Sequence, residues 1–112
     1  MESTRQSKIS RLLQKDLGDI FQKEAGFIAA KAMVTVTKVQ VTKDLGVAKV
    51  YLSLFTSEDK SKLLELVIKH TGELRYKLGK RIGKQVRAIP ELRFYLDDSL
   101  DYIDNIEKLL DE

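Results

Sequence analysis

The sequence holds no cysteine, no tryptophan, a single histidine and a single proline among its 112 residues. Without cysteine there is no disulfide framework, no thiolate metal site and no cysteine nucleophile. One histidine is too few imidazoles for a zinc site. Glycine is scarce as well, at six residues, which with the lone proline excludes collagen-like or low-complexity character. No apolar run approaches the roughly 20 residues of a membrane span. The opening MESTRQSK is polar with no apolar stretch behind it, so no secretory signal is expected. Together these absences predict a reduced, cytoplasmic setting and no membrane partner.

What the chain has in abundance is charge. Charged residues make up 33%, the net charge is +3 and the pI is about 9.1. At 12.8 kDa there is room for one domain. The 43% hydrophobic content is enough for one modest core. The charge is unevenly placed. Residues 69–93 carry eight Lys/Arg against two Asp/Glu, and residues 94–112 carry one against seven. A basic block thus precedes an acidic tail. Basic blocks are candidate polyanion sites, because each cation near a phosphate releases condensed counterions. A solvated helix face is the plainer alternative.

The periodicity predicts an α+β order. Ile9, Leu12, Leu13, Leu17, Ile20 and Phe21 fall on one face of a helix over 4–24. Ser3 and Gln6 stand at capping-box spacing, and Gly26 is a natural stop. Residues 33–42, MVTVTKVQVT, are β-branched almost throughout and read as a strand. Its alternation slips, because Val34 and Val36 share one parity and Val39 and Val41 the other. That predicts a bulge near Thr37–Lys38, with two-sided burial as the alternative. Turn chemistry over Lys43-Asp44-Leu45-Gly46 leads into a second strand of Ala48, Val50, Leu52 and Leu54. Thr56 and Asp59 open the next helix at capping-box spacing. Its apolar positions are Leu63, Leu64, Val67, Ile68, Leu74, Leu78 and Ile82, which keep phase through Thr71-Gly72. Two helices joined by a kink, rather than by a loop, are expected there. Leu92, Phe94 and Leu96 mark a last strand, with Pro90 at its start or on an edge. The expected fold is a three-stranded sheet with helices packed on one face. The domain is expected over 1–97, followed by a short acidic helix or tail over 98–112.

Candidate chemistry is concentrated in the basic block. Lys77, Lys80, Arg81 and Lys84 stand at i, i+3, i+4 and i+7, one helical stripe flanked by Arg75, Tyr76, Arg87 and Arg93. Gly72, Gly79 and Gly83 share a flank, which suggests close approach of another backbone, from the sheet or a nucleic acid. Lys77, Lys80, Arg81, Lys84 and Arg87 are the candidate phosphate contacts, with Arg75 beside them and Arg5, Lys8 and Arg11 as a second patch. Five such contacts on a single strand predict a salt slope of about −3.5. The Gly79–Gly83 run lacks the strand-loop-GK[ST] setting of a phosphate loop. Asp97, Asp98, Asp101 and Asp104 read better as helix-start acids than as a metal site. His70 lies at the kink without a plausible nucleophile, and no carboxylate pair reads as acid and base. Neither an enzyme nor a cofactor is expected.

Several runs of residues resemble one family. They are the hairpin from Val34-Thr35-Val36-Thr37-Lys38-Val39 to Lys43-Asp44-Leu45 and on through Ala48-Lys49-Val50-Tyr51-Leu52-Ser53. Gly72, the run Leu78-Gly79-Lys80-Arg81-Ile82, and Ile89-Pro90-Glu91-Leu92-Arg93-Phe94 closing on Asp97-Asp98-Ser99 complete them. From about Arg5 to Leu110 the chain resembles the ribosome-binding factor A family, whose fold is a single type II KH domain. The resemblance implies a non-catalytic, cold-linked factor that binds the immature small ribosomal subunit through its rRNA, assists late maturation near the rRNA 5′ end, and leaves with the help of an assembly GTPase. It further implies a monomer. In place of the GXXG loop of ordinary KH domains, the family has an Ala-x-Gly interhelical kink. The matching residues here are His70, Thr71 and Gly72, with His in the alanine position. The rival expectation is an adaptor whose basic helix docks an acidic protein partner.

Overall fold

The computed structural model describes residues 3–97. The expected acidic helix or tail, with Asp98, Asp101 and Asp104, lies outside the described residues. Seven elements follow in order: α1 (Thr4–Lys23), α2 (Gly26–Ala29), β1 (Met33–Val41), β2 (Val47–Phe55), α3 (Lys60–Lys69), α4 (Thr71–Ile82) and β3 (Glu91–Leu96). The sheet runs β1-β2-β3, with β1 antiparallel and β3 parallel to the central β2.

Local chemistry sets the ends of these elements. Ser3 and Gln6 form a reciprocal capping box at the start of α1, the hydroxyl accepting from Gln6 N at 3.1 Å and Gln6 Oε1 from Ser3 N at 2.9 Å. Gln6 then donates from Nε2 to Val41 O at 2.9 Å, and Gln14 donates to Val36 O at 3.2 Å. Both carbonyls belong to β1, an edge strand, so α1 covers acceptors that the sheet leaves over. Gly26 does not simply end the first helix. It begins the short α2, a turn absent from the sequence reading, which sinks Ile28 into the core. The cap of α3 is Asp59, whose carboxylate accepts from Ser61 N at 2.9 Å. Thr56 is not that cap. It accepts from Glu58 N and donates to Lys31 O, tying the strand exit to the segment after α2.

The bulge falls where the parity slip places it. Val36 pairs with Leu52 and Lys38 with Tyr51, leaving Thr37 as the extra residue. Val34, Val36, Val39 and Val41 therefore all face inward and are buried. They meet Ala48, Val50, Leu52 and Leu54 of β2, Leu92 and Phe94 of β3, and Leu13, Leu17 and Ile20 of α1. Leu63, Val67, Leu74, Leu78 and Ile82 complete the core from α3 and α4. The step of seven from Val67 to Leu74 crosses the joint without losing phase. Ile68 breaks the expected stripe and stays half exposed. One residue, His70, joins α3 to α4. Its Nδ1 lies 2.8 Å from Leu66 O, so that nitrogen carries the hydrogen. Its ring stacks on Phe27 of α2 at 3.9 Å between centroids.

The glycine flank has a different meaning from the expected one. A Cβ at Gly72 would meet nothing, and one at Gly79 only Ile89 at 3.6 Å. At Gly83 it would run into the Gly79 carbonyl at 2.5 Å, within the same helix end. Among the described residues no sheet backbone approaches these glycines. No helix among the described residues is long and apolar enough to cross a membrane.

Candidate nucleic-acid interface

The N-terminal half of α1, the β1–β2 turn and the segment between α4 and β3 meet at one end of the molecule. They enclose a groove of about 700 Å³. Its cationic lining is Arg5 and Lys8 from α1, Lys43 from the turn, and Arg87 from the α4–β3 segment. Ile9, Leu12, Leu45, Val86 and Pro90 supply apolar lining. Members of two patches that are separate in sequence, Arg5 and Lys8 of the α1 cations and Arg87 of the basic block, thus share one concavity.

The turn that supplies Lys43 is held by its own side chains. Asp44 Oδ1 accepts from Thr42 Oγ1 at 2.6 Å and from Gly46 N at 3.0 Å. These bonds, the Thr42 hydroxyl foremost, hold the Asp44 carboxyl below its ordinary 3.8. Leu45 takes a left-handed φ of 60°, costing about 1 kcal/mol for a residue with a Cβ. In return Leu45 packs against the core while its neighbours reach the groove. Gly46 O accepts from Glu91 N at 2.9 Å, so the turn is also fastened to the start of β3.

The expected stripe on α4 is divided by its partners. Arg81 is committed to α1 and its exit: Nη1 lies 2.7 Å from Asp19 and 3.6 Å from Asp16, and Nη2 lies 2.7 Å from Glu24. The Glu24 and Asp19 carboxylates raise its already high pKa. In return the Arg81 hydrogen bond, followed by that of Lys23, lowers the carboxyl of Asp19. Lys77 pairs with Glu73 at 3.2 Å and donates to Glu24 O. Arg75 donates to Ile89 O at 2.6 Å and Pro90 O at 3.2 Å, fixing the segment that carries Arg87. Lys80 is exposed, with its ammonium 4.9 Å from the Tyr76 ring centre. Lys84 and Arg11 are exposed and lie outside the groove lining. Of the nine candidate cations, the fold gathers Arg5, Lys8 and Arg87, spends Arg75, Lys77 and Arg81 on internal partners, and leaves Arg11, Lys80 and Lys84 outward. Lys43 was absent from the sequence reading of the site. Its signal was a lysine in a turn, which alone does not say what the turn faces. The kink residues His70, Thr71 and Gly72 stand at the α3–α4 joint, away from the groove lining.

Among the described residues no group of three or more His, Asp or Glu side chains forms a metal cluster. The architecture and the groove define a class: a single type II KH-like α+β domain with a cationic concavity at one end. The ribosome-binding factor A family profile matches residues 5–110. The chain is 47% identical over 110 residues to ribosome-binding factor A of Cytophaga hutchinsonii, spanning 98% of this chain and 83% of that one. It is 44% identical over 111 residues to the same factor of Flavobacterium johnsoniae, spanning 98% and 85%. It belongs to the ribosome-binding factor A family. Solved structures agree in fold. The solution structure of a Thermotoga maritima protein described as a ribosome binding factor A is 27% identical, with a TM-score of 0.64 over 85% of this chain and 89% of that one. The Thermus thermophilus factor, as a homology model fitted into an electron cryo-microscopy map of a 30S complex, gives 0.65 at 21% identity over 88% and 97%.

Proposed function

We propose that this chain binds the small ribosomal subunit through its rRNA, with the groove of Arg5, Lys8, Lys43 and Arg87 taking the phosphate backbone. The observation that carries the reading is the convergence of these four cations, from three separate segments, on one concavity. None of the four has a carboxylate partner among the described residues. Charge left unpaired beside an apolar floor suits a polyanion that brings both phosphates and sugar faces. Family membership and the 30S complex of the Thermus relative support the same partner. Lys80, Lys84 and Arg11 stay exposed outside that groove. The finer reading is a monomeric, non-catalytic factor that assists rRNA processing near the 5′ end and is released by an assembly GTPase.

The test is co-sedimentation of the purified chain with free small subunits, large subunits and whole ribosomes at two salt concentrations. Salt-sensitive binding to small subunits alone is expected. Failure to bind small subunits at low salt refutes the proposal. Binding to a protein partner that survives nuclease treatment favours the adaptor instead.

A further inference from the structure

The second face of the sheet is covered by no helix among the described residues. The pairing register sets its side chains in rows. Lys38, Tyr51 and Tyr95 form one row, and Gln40, Lys49 and Arg93 the next. The two tyrosine rings stack with centroids 5.5 Å apart and 29° between planes, and Tyr95 is 39% exposed. Further along β2 the Phe55 ring stands 81% exposed. Lys38 and Lys49 are exposed without a carboxylate partner among the described residues, whereas Arg93 is paired with Glu91 at 3.1 Å.

We infer that this face is a second binding site, for single-stranded RNA, in which an unpaired base stacks on the Tyr51–Tyr95 pair and Lys38 and Lys49 take the flanking phosphates. Flat aromatic rings among unpaired cations match what an unstacked nucleotide offers, a π-face beside a phosphate. Rows along a strand repeat every ~6.6 Å, so the ring row and the Lys49 row can serve base and phosphate of one extended strand. An acidic peptide would use the lysines but leave the stacked rings idle. The bulge contributes directly. By absorbing Thr37 it sets Lys38 opposite Tyr51 instead of turning it inward. The inference rests on the reading of the chain as an RNA-binding factor, but uses residues that the groove lining does not include.

The experiment uses the ¹⁵N-labelled full chain and a ten-nucleotide single-stranded oligoribonucleotide, with affinity read by fluorescence anisotropy. Amide shifts at Lys38, Lys49, Tyr51 and Tyr95 are expected on titration. Replacing both rings (Tyr51→Leu with Tyr95→Leu) weakens binding by about 5- to 150-fold, the range of one lost stacking contact. The double Phe variant keeps the ring faces and the affinity. The groove variant Lys8→Ala with Arg87→Ala is run alongside. If it loses affinity while the Leu pair does not, the stacking site is overturned and the groove stands. If the chain binds no RNA at all, both readings fall. Shifts at Tyr51 and Tyr95 on adding a peptide of residues 98–112, with none on adding RNA, also overturn the inference.

Discussion

Replacing Lys8 and Arg87 with alanine separates the groove from the helical stripe as the site of phosphate contact. Both side chains are exposed and unpaired among the described residues, so the fold should survive, as a circular dichroism melt would verify. Four groove cations on a single strand predict a slope of log affinity against log salt of about −2.8, at roughly 0.7 per phosphate. Affinity then falls about 50-fold between about 50 and 200 mM salt. Removing two cations halves the slope to about −1.4. Extrapolated from 1 M, where the counterion contribution vanishes, the loss is about 70-fold at about 50 mM and about 10-fold at about 200 mM. Lys77→Ala should leave the slope unchanged, because its ammonium is already spent on Glu73 and the Glu24 carbonyl. The assay is anisotropy with a small-subunit rRNA fragment across a salt series. Parallel lines for wild type and the double variant would refute the reasoning, as would a slope that drops for Lys77→Ala.

Arg81→Ala should lower the melting temperature, since the guanidinium joins α4 to Asp19 and Glu24. Because that pairing depresses the Asp19 carboxyl, the stabilisation is complete above its ordinary 3.8 and lost as pH falls through the lowered value, so the gap from wild type closes in acid. Gly72→Ala should stabilise by about 0.5–1 kcal/mol, because the site is open and helical; Gly83→Ala should destabilise, because its Cβ meets the Gly79 carbonyl, and urea melts decide both signs. His70→Ala should cost about 1 kcal/mol through loss of the Phe27 stack, with His70→Phe restoring most of it in the same melts. Deleting Thr37 should leave a folded chain, because Val36 and Lys38 already pair with consecutive residues of β2; the cost is about 1–2 kcal/mol for the hydroxyl bonds to Tyr51 O and Asp97, and an unfolded product would refute this view of the bulge.

Much of the fold was legible because its signals are local or periodic. The Val34/Val36 against Val39/Val41 parity slip needs no partner to be read, and neither does the Ser3–Gln6 cap. The phase across His70 was readable because a helical joint preserves it. The short α2 was not, since four residues starting at a glycine leave no period to detect. The site was legible only in part, for a different reason. A stripe of cations looks the same in sequence whether it faces solvent or faces Asp16, Asp19 and Glu24 on a helix some 60 residues earlier. Only packing α4 against α1 reveals the pairing. Lys43 shows the reverse case, an ordinary turn lysine brought beside Arg5, Lys8 and Arg87 by three segments meeting.

The division of the basic block follows from how the helices are stacked. Leu74, Leu78 and Ile82 must face the core, which turns Lys77 and Arg81 toward the end of α1. That end is acidic, so Arg81 is neutralised there, while Lys77, paired with Glu73 on its own helix, donates to the Glu24 carbonyl; both lock the two helices together. Arg75 reaches the other way and clasps the Ile89 and Pro90 carbonyls. This clasp holds the segment bearing Arg87 against the β1–β2 turn, itself held by Asp44 and tied to β3 through Gly46. The committed cations therefore position the uncommitted ones. A substitution at Arg75 should thus weaken RNA binding without lowering the number of phosphates contacted, shifting the salt line downward while leaving its slope intact.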